Sequence, residues 1–330
     1  MKASCDTVNP SRLTMAATWS IAEVERDTGL GKDTLRVWER RYGFPVPMRD
    51  SLGERIYPQD QVQRLRLIKR LLDAGLRPGK VVALSLEEIH ALTQGLQSVR
   101  HEAGNQPGVE PMPDFPSSWL RWLAEDRTDL LKQALQQHIL RQGLGSTVEL
   151  LIAPLCVHVG EAWLRGELSV YQEHLFTETL KSVLREAIAS VDASGPGMQH
   201  PPRVLLTTTP SEQHGLGLLM AECFFAMESC TRFVLGVSTP IPDIVLAVRQ
   251  LNIDVLALSF SAYAGRRDVI DSLKQLTEQL PNHVEVWVGG SATALWSRAM
   301  PAQARVIRRA CELSDQVQAW RLRHPEGAVY

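Results

Sequence analysis

Apolar residues recur in three successive rhythms along the 330-residue chain. Between residues 19 and 72 they fall at helical spacing in short stretches interrupted by glycine and proline. Ser20 is placed to cap a first helix, Glu23 three positions on completes a capping box, and Gly29 supplies the positive φ of the turn that follows. A second helix is predicted from about Asp33 to Tyr42, with Leu35 inward and Arg36, Trp38, Arg40 and Arg41 around it. Helix, glycine turn and helix make a helix-turn-helix. Residues 43–57 are rich in turn formers and predict a small β-wing flanked by Arg49 and Arg55. Pro58 then opens a third helix that carries Val62, Leu65, Ile68 and Leu72 at helical spacing.

The second rhythm runs from Trp119 to about Ser190 and is helical throughout. Val148, Leu151, Ile152, Leu155 and Val159 form one apolar stripe, and Leu175, Phe176, Leu180, Val183, Leu184 and Ile188 form another, so a four-helix bundle is expected to bury both. In the third rhythm, β-type runs at 204–208, 233–237, 255–260, 284–288 and 305–307 alternate with helical ones. That alternation predicts a five-strand parallel sheet wound on both sides, flavodoxin-like in order, with strands buried on both faces. Two breaks have linker composition: 94–117, with Pro107, Pro111, Pro113 and Pro116, and 192–202. The expected organisation is a flexible tail (1–18), a winged helix-turn-helix (19–93), a linker (94–117), a helical bundle (118–191), a second linker (192–202) and an α/β domain (203–330).

Charge sharpens this division. Residues 19–80 hold thirteen Lys/Arg against nine Asp/Glu, about +4, whereas the whole chain is −2, which leaves about −6 elsewhere. A basic head on an acidic body points to nucleic acid at one end. The five cysteines form no C-x-x-C pair, as expected of reduced thiols in a cytoplasmic protein without a zinc site. No apolar run approaches the roughly 20 residues of a membrane span.

The candidate chemistry lies on the loop Thr209-Pro210-Ser211-Glu212-Gln213-His214-Gly215-Leu216-Gly217, between the first predicted strand of the sheet and a helix. Such a loop sits at the carboxyl end of a parallel sheet, where open α/β sheets bind ligands. Glu212 is close enough to hold one imidazole nitrogen of His214 and so fix which nitrogen faces a metal. One histidine cannot hold a bare ion, but it can be an axial ligand to a macrocycle.

Two resemblances give these features meaning. Ile21-Ala22-Glu23-Val24, Thr28-Gly29-Leu30, Thr34 to Gly43 and Arg55-Ile56-Tyr57 resemble the winged-helix domain of MerR-family transcription regulators. The resemblance implies double-stranded operator DNA as partner. Arg36, Arg40 and Arg41, with Trp38 and Tyr42, would meet bases or phosphates from the recognition helix, and Arg49, Arg55 and Tyr57 would meet the backbone from the wing. The long dimerising coiled coil of many such regulators has no counterpart here, so self-association falls to the body.

Glu212-x-His214-x-x-Gly217, Ser259-Phe260-Ser261 and Gly289-Gly290 together resemble a cobalamin-binding signature. It implies His214 as the lower ligand of cobalt, in place of the cofactor's own base, with the freed nucleotide tail lying beside the glycine pair. The segment from Trp163 to Glu173-His174 is similar to the stretch before the cobalamin domain in light-responsive repressors of the CarH and LitR kind. By that likeness Trp163 covers the adenosyl group of adenosylcobalamin, with Val170, Glu173 and His174 lining its pocket. In those repressors a histidine follows the tryptophan; here it is Leu164, which has no donor atom.

The expectation is therefore a non-enzymatic transcription regulator, a repressor by resemblance, that senses adenosylcobalamin and light through a homo-oligomer, dimer or tetramer. The alternatives are a corrinoid-dependent methyltransferase or mutase subunit or carrier, and a regulator whose cobalamin site is degenerate.

Overall fold

The computed structural model describes residues 18–73, 76–89, 92, 117–164, 167–194, 200–261, 264–291, 293 and 300–325. The predicted tail up to residue 17, the linker up to residue 116 and the middle of the second linker (195–199) lie outside the described residues. The chain divides into a head, residues 1–72 and 76–102, and a body, residues 73–75 and 103–330.

In the head, β1 (Thr18–Ser20), α1 (Ile21–Thr28), α2 (Lys32–Tyr42), β2 (Met48–Arg49), β3 (Arg55–Pro58), α3 (Gln59–Asp73) and α4 (Pro78–Val81) follow one another. The capping box forms: the Glu23 amide donates to Ser20 Oγ at 3.3 Å, and the Ser20 amide donates to Glu23 Oε2 at 2.7 Å. Gly29 and Gly43 end α1 and α2 in the left-handed region, at φ 70° and 68°. Two boundaries differ from the sequence reading. Thr18 already belongs to a strand, because it pairs with Pro58 in an antiparallel sheet ordered β1-β3-β2. Pro58 accordingly closes β3, and the third helix starts at Gln59. Val24, Leu35, Trp38, Tyr57, Val62, Leu65 and Ile68 make the core. Beside it, Arg66 makes two hydrogen bonds to Asp27, each 2.7 Å, with its side chain only 8% exposed.

The body opens with α5 (Ser117–Ala124) and α6 (Thr128–Gln142). A third helical rod combines α7 (Leu144–Thr147), a π turn (Val148–Ile152) and α8 (Ala153–Leu164), and α9 (Val170–Ser194) is the fourth. The π turn has a local cause: Pro154 has no amide to donate, and its ring crowds the carbonyl four residues back. By length and a mean hydropathy of 1.2, Leu144–Trp163 is one helix that could cross a membrane, contrary to the sequence reading. Its Val148, Leu151, Ile152, Leu155 and Val159 nevertheless lie in the bundle core.

The α/β part runs β4 (His200–Thr207), α10 (Leu216–Met227), β5 (Cys230–Gly236), α11 (Ile241–Gln250), β6 (Val255–Ser259), α12 (Arg266–Gln279), β7 (Glu285–Gly289), β8 (Ala304–Val306) and α13 (Glu312–Arg323). The strands are parallel in the order β5-β4-β6-β7-β8, the flavodoxin-like order expected. Alternation along the strands splits the core. Leu205, Leu256 and Val286 face α11 and α12, whereas Val204, Leu206, Ala257 and Trp287 share one continuous core with Leu155, Phe176 and Leu184 of the bundle. Two ion pairs add to that contact: Arg232 grips Asp192 at 2.7 Å through both carboxylate oxygens, and Arg309 Nε donates to Glu149 Oε1 at 2.7 Å. The expectation of strands buried on both faces fails at β5, where Val234, Leu235 and the following Val237 are exposed. Sheet order explains this, since β5 is an edge with one neighbour.

Candidate functional site

At the carboxyl end of β4 the chain turns through residues 208–215 before entering α10. Side-chain hydrogen bonds pin this loop to the end of β5. Thr208 Oγ1 donates to the Glu212 carbonyl at 2.6 Å and accepts the Ser238 amide at 2.8 Å. Glu212 itself is turned inward, with its side chain 1% exposed. Its Oε1 accepts the His214 amide at 2.8 Å and lies 2.6 Å from His214 Nδ1, and its Oε2 accepts the Ser261 amide at 2.7 Å. Burial pushes the Glu212 carboxyl up, but the hydrogen bonds from His214 and Ser261 outweigh it and hold the group below the usual glutamate value.

An ionised Glu212 assigns the proton of the imidazole. Nδ1 carries the hydrogen and donates it to the carboxylate, which leaves the Nε2 lone pair on the side of the ring turned away from Glu212. Ser261 Oγ, 3.1 Å from Nδ1, supports the same ring position. The His214 side chain is 54% exposed, so a buried acid orients a base that reaches the surface.

The other parts of the signature arrive on neighbouring strands. Ser259 ends β6, and a Cβ at Gly217 would stand 2.6 Å from its hydroxyl. Gly290 follows β7 at φ 98°, and a Cβ there would fall on the Phe260 carbonyl. Its glycine is thus required by the protein's own backbone, before any ligand is considered. Gly289 is different: a Cβ would meet Ile307 O at 3.7 Å, an ordinary contact. Sequence reasoning missed Thr209, whose buried hydroxyl has no hydrogen-bond partner among the described residues.

Among the described residues no group of three or more His, Cys, Asp or Glu could hold a bare metal ion. Burial pushes the Cys156, Cys223 and Cys230 thiols up to about 12, so they are protonated and are not thiolate ligands. A single oriented imidazole, a carboxylate behind it and an orphaned hydroxyl on the same loop fit a macrocycle that brings its own equatorial ligands.

The upper-side candidates flank the turn between α8 and α9. Trp163 is half-buried against the core shared by bundle and sheet. Glu173 accepts Thr177 Oγ1 at 2.8 Å, and His174, 72% exposed, stands 3.7 Å from Glu173. The side chains of Leu164 and Val170 lie outside the described residues.

On the head, Arg36, Arg40 and Arg41 are exposed along α2, and the exposed Arg49 donates to the Gly53 carbonyl across the wing turn at 2.7 Å. Tyr42 is half-buried, with the Arg41 guanidinium 5.4 Å from its ring centroid. Two predicted DNA contacts are corrected. Trp38 is buried in the core, three residues after Leu35 on the same side of the helix, and Tyr57 is fully buried. The Tyr57 hydroxyl donates to Glu39 at 2.8 Å, and Arg55 Nε donates to the same carboxylate at 3.0 Å. Burial first, then Glu39, pushes the Tyr57 hydroxyl up, so it stays a donor. Glu39, unnoticed in the sequence, therefore braces the wing against α2.

Comparison with known proteins agrees with both halves. The family described as MerR HTH family regulatory protein matches residues 19–92, and the B12 binding domain family matches residues 122–187. The HTH-type transcriptional repressor CarH of Myxococcus xanthus is 31% identical over 269 residues, covering 80% of this chain and 86% of that protein. The repressor CarA of the same organism is 28% identical over 246 residues, covering 74% and 76%. The monomethylamine corrinoid protein of Methanosarcina barkeri overlaps at a TM-score of 0.44 and 16% identity, covering 61% of this chain and 95% of that one. The alternative of a corrinoid enzyme falls, because the relatives that span the chain are regulators. With a MerR-type head, a B12 binding domain and 31% identity over most of both chains, this protein belongs to the CarH family of HTH-type transcriptional repressors, cobalamin-sensing DNA-binding regulators and not enzymes.

Proposed function

We propose that the protein is a cytoplasmic repressor that senses adenosylcobalamin, and that filling of this site controls self-association of the body and, through it, operator binding. The observation that carries the reading is the buried, ionised Glu212 that sets the tautomer of His214. A surface histidine with no ligand to meet has no need of a buried carboxylate behind it.

In this reading His214 would hold cobalt through Nε2, Ser259 and Ser261 would line the entry for the nucleotide tail, and Gly289 would leave room beside it. Gly217 lets α10 start against Ser259. Trp163, Val170, Glu173 and His174 line the adenosyl side. The bound cofactor supplies a cobalt–carbon bond that light can break. Leu164 offers no donor to cobalt, so His214 would retain the corrin through its own bond unless His174 or His158 supplied a second one. The domain bounds follow: a head at 19–93, a bundle at 118–191 that lids the α/β domain at 203–330, and linkers between them. Because bundle and sheet share a core, rearrangement around Trp163 is passed to the surfaces of α8 and α9. Association of two bodies then raises the effective concentration of each head at a second half-site.

The test is light scattering on the full chain with and without adenosylcobalamin, in darkness and after green light, with gel shift on the same samples. The mass should rise to a dimer or tetramer on loading in darkness and fall after illumination, with operator affinity following the mass. A cofactor-loaded chain that keeps the mass and DNA affinity of the empty one would overturn the proposal.

A further inference from the structure

We infer that Val37 is a specificity-determining residue of the DNA-reading head and that it recognises the 5-methyl group of a thymine in the major groove. Asp33, Arg36, Val37, Arg40 and Arg41 are exposed along α2, and their spacing of three and four residues puts them on one face. Leu35 and Trp38 are buried on the other. Val37 is 41% exposed in the middle of this row, between guanidinium groups on either side.

The core gives no reason for a valine there, since Val24, Leu35, Trp38, Tyr57, Leu65 and Ile68 already fill it. Nor does helix formation, because valine is a poorer helix former than the alanine, lysine or arginine an exposed position would accept. Its β-branch does hold the two methyl groups in a narrow set of directions. It has no donor or acceptor, so it can read only an apolar feature of a base edge, and in the major groove that feature is the thymine methyl group. Its neighbours carry the polar tasks. Arg36 Nη1 is drawn back to Asp33 at 3.0 Å, and Arg40 and Arg41 supply charge one turn further on. Val37 therefore adds sequence preference where they add affinity.

The probe is a set of duplexes enriched from a random pool by the full chain, in whichever cofactor state binds DNA. Each thymine is then replaced singly by deoxyuridine, which removes only the methyl group. At one thymine per half-site the replacement should weaken native binding about fourfold, the effect of withdrawing one buried methyl group. Val37→Ala should bind the thymine duplex more weakly by a similar factor and no longer distinguish uracil at that position, while Val37→Ile still does. The salt dependence of binding should match the native slope, since no phosphate contact is lost, and this also shows the variant head to be folded. The inference is overturned if native protein is indifferent to uracil at every position. It is also overturned if Val37→Ala responds to each uracil as the native protein does, which would place Val37 against the sugar–phosphate backbone.

Discussion

Replacing Glu212 by glutamine removes a charge from the site and hardly changes its shape. The native carboxylate only accepts, and it takes hydrogen bonds from the His214 amide, His214 Nδ1 and the Ser261 amide. The amide of Glu212→Gln can accept on one side, but its NH2 must then face a donor on the other. An unsatisfied buried donor costs about 1–3 kcal/mol, and loss of charge assistance on the remaining bonds adds about 1 kcal/mol. Taking about 3 kcal/mol for a body of roughly 200 residues, the melting temperature should fall by about 6–12 °C. The assay is calorimetry of the full chain without cofactor at pH 7, following the transition of the body.

The pH dependence gives a second reading of the same experiment. The folded Glu212 carboxyl lies below its ordinary value of 4.5. Its stabilisation is therefore complete above that value and is lost as pH falls through the folded one. The gap between native protein and Glu212→Gln should be constant near neutrality and narrow in acid. Cofactor affinity should fall about 10- to 100-fold, the usual effect of removing a carboxylate behind a metal-ligating histidine. A variant that melts within about 1 °C of native, or a gap that persists unchanged into strong acid, would refute the assignment of an ionised Glu212.

Gly290→Ala should destabilise the body by at least about 2 kcal/mol in thermal melts, since it combines a left-handed φ with a collision at Phe260. Gly289→Ala should melt close to native yet take up adenosylcobalamin more weakly; equal uptake would remove Gly289 from the cofactor's path. Asp27→Asn leaves the Arg66 guanidinium buried without its carboxylate, and urea unfolding should show the head less stable by about 3 kcal/mol or more.

Short-range chemistry was the legible part of this fold. The Ser20–Glu23 box, the Gly29 turn and the Glu212–His214 pair each lie within a few residues of chain, so spacing alone specifies them. The parallel sheet was legible because its strands alternate with helices, and the topology that follows has few solutions. Which strand becomes the edge depends on pairing order, and this hid the exposure of Val234 and Leu235. Trp38 was readable from its place three residues after Leu35, but its arginine neighbours drew it into the polar face. Tyr57 and the Glu39 brace depend on contacts between α2 and β3, which no local pattern encodes. The π turn was available from Pro154. The orphaned Thr209 hydroxyl appears only once the loop is folded.

The claim that a single imidazole holds the corrin is tested most directly by the absorption spectrum of the full chain titrated with adenosylcobalamin, beside His214→Ala. Native protein should show the spectrum of a cofactor whose own base has left cobalt and been replaced by histidine, and His214→Ala should lack that signature while keeping its fold by circular dichroism. The same histidine-ligated spectrum in His214→Ala would contradict the account.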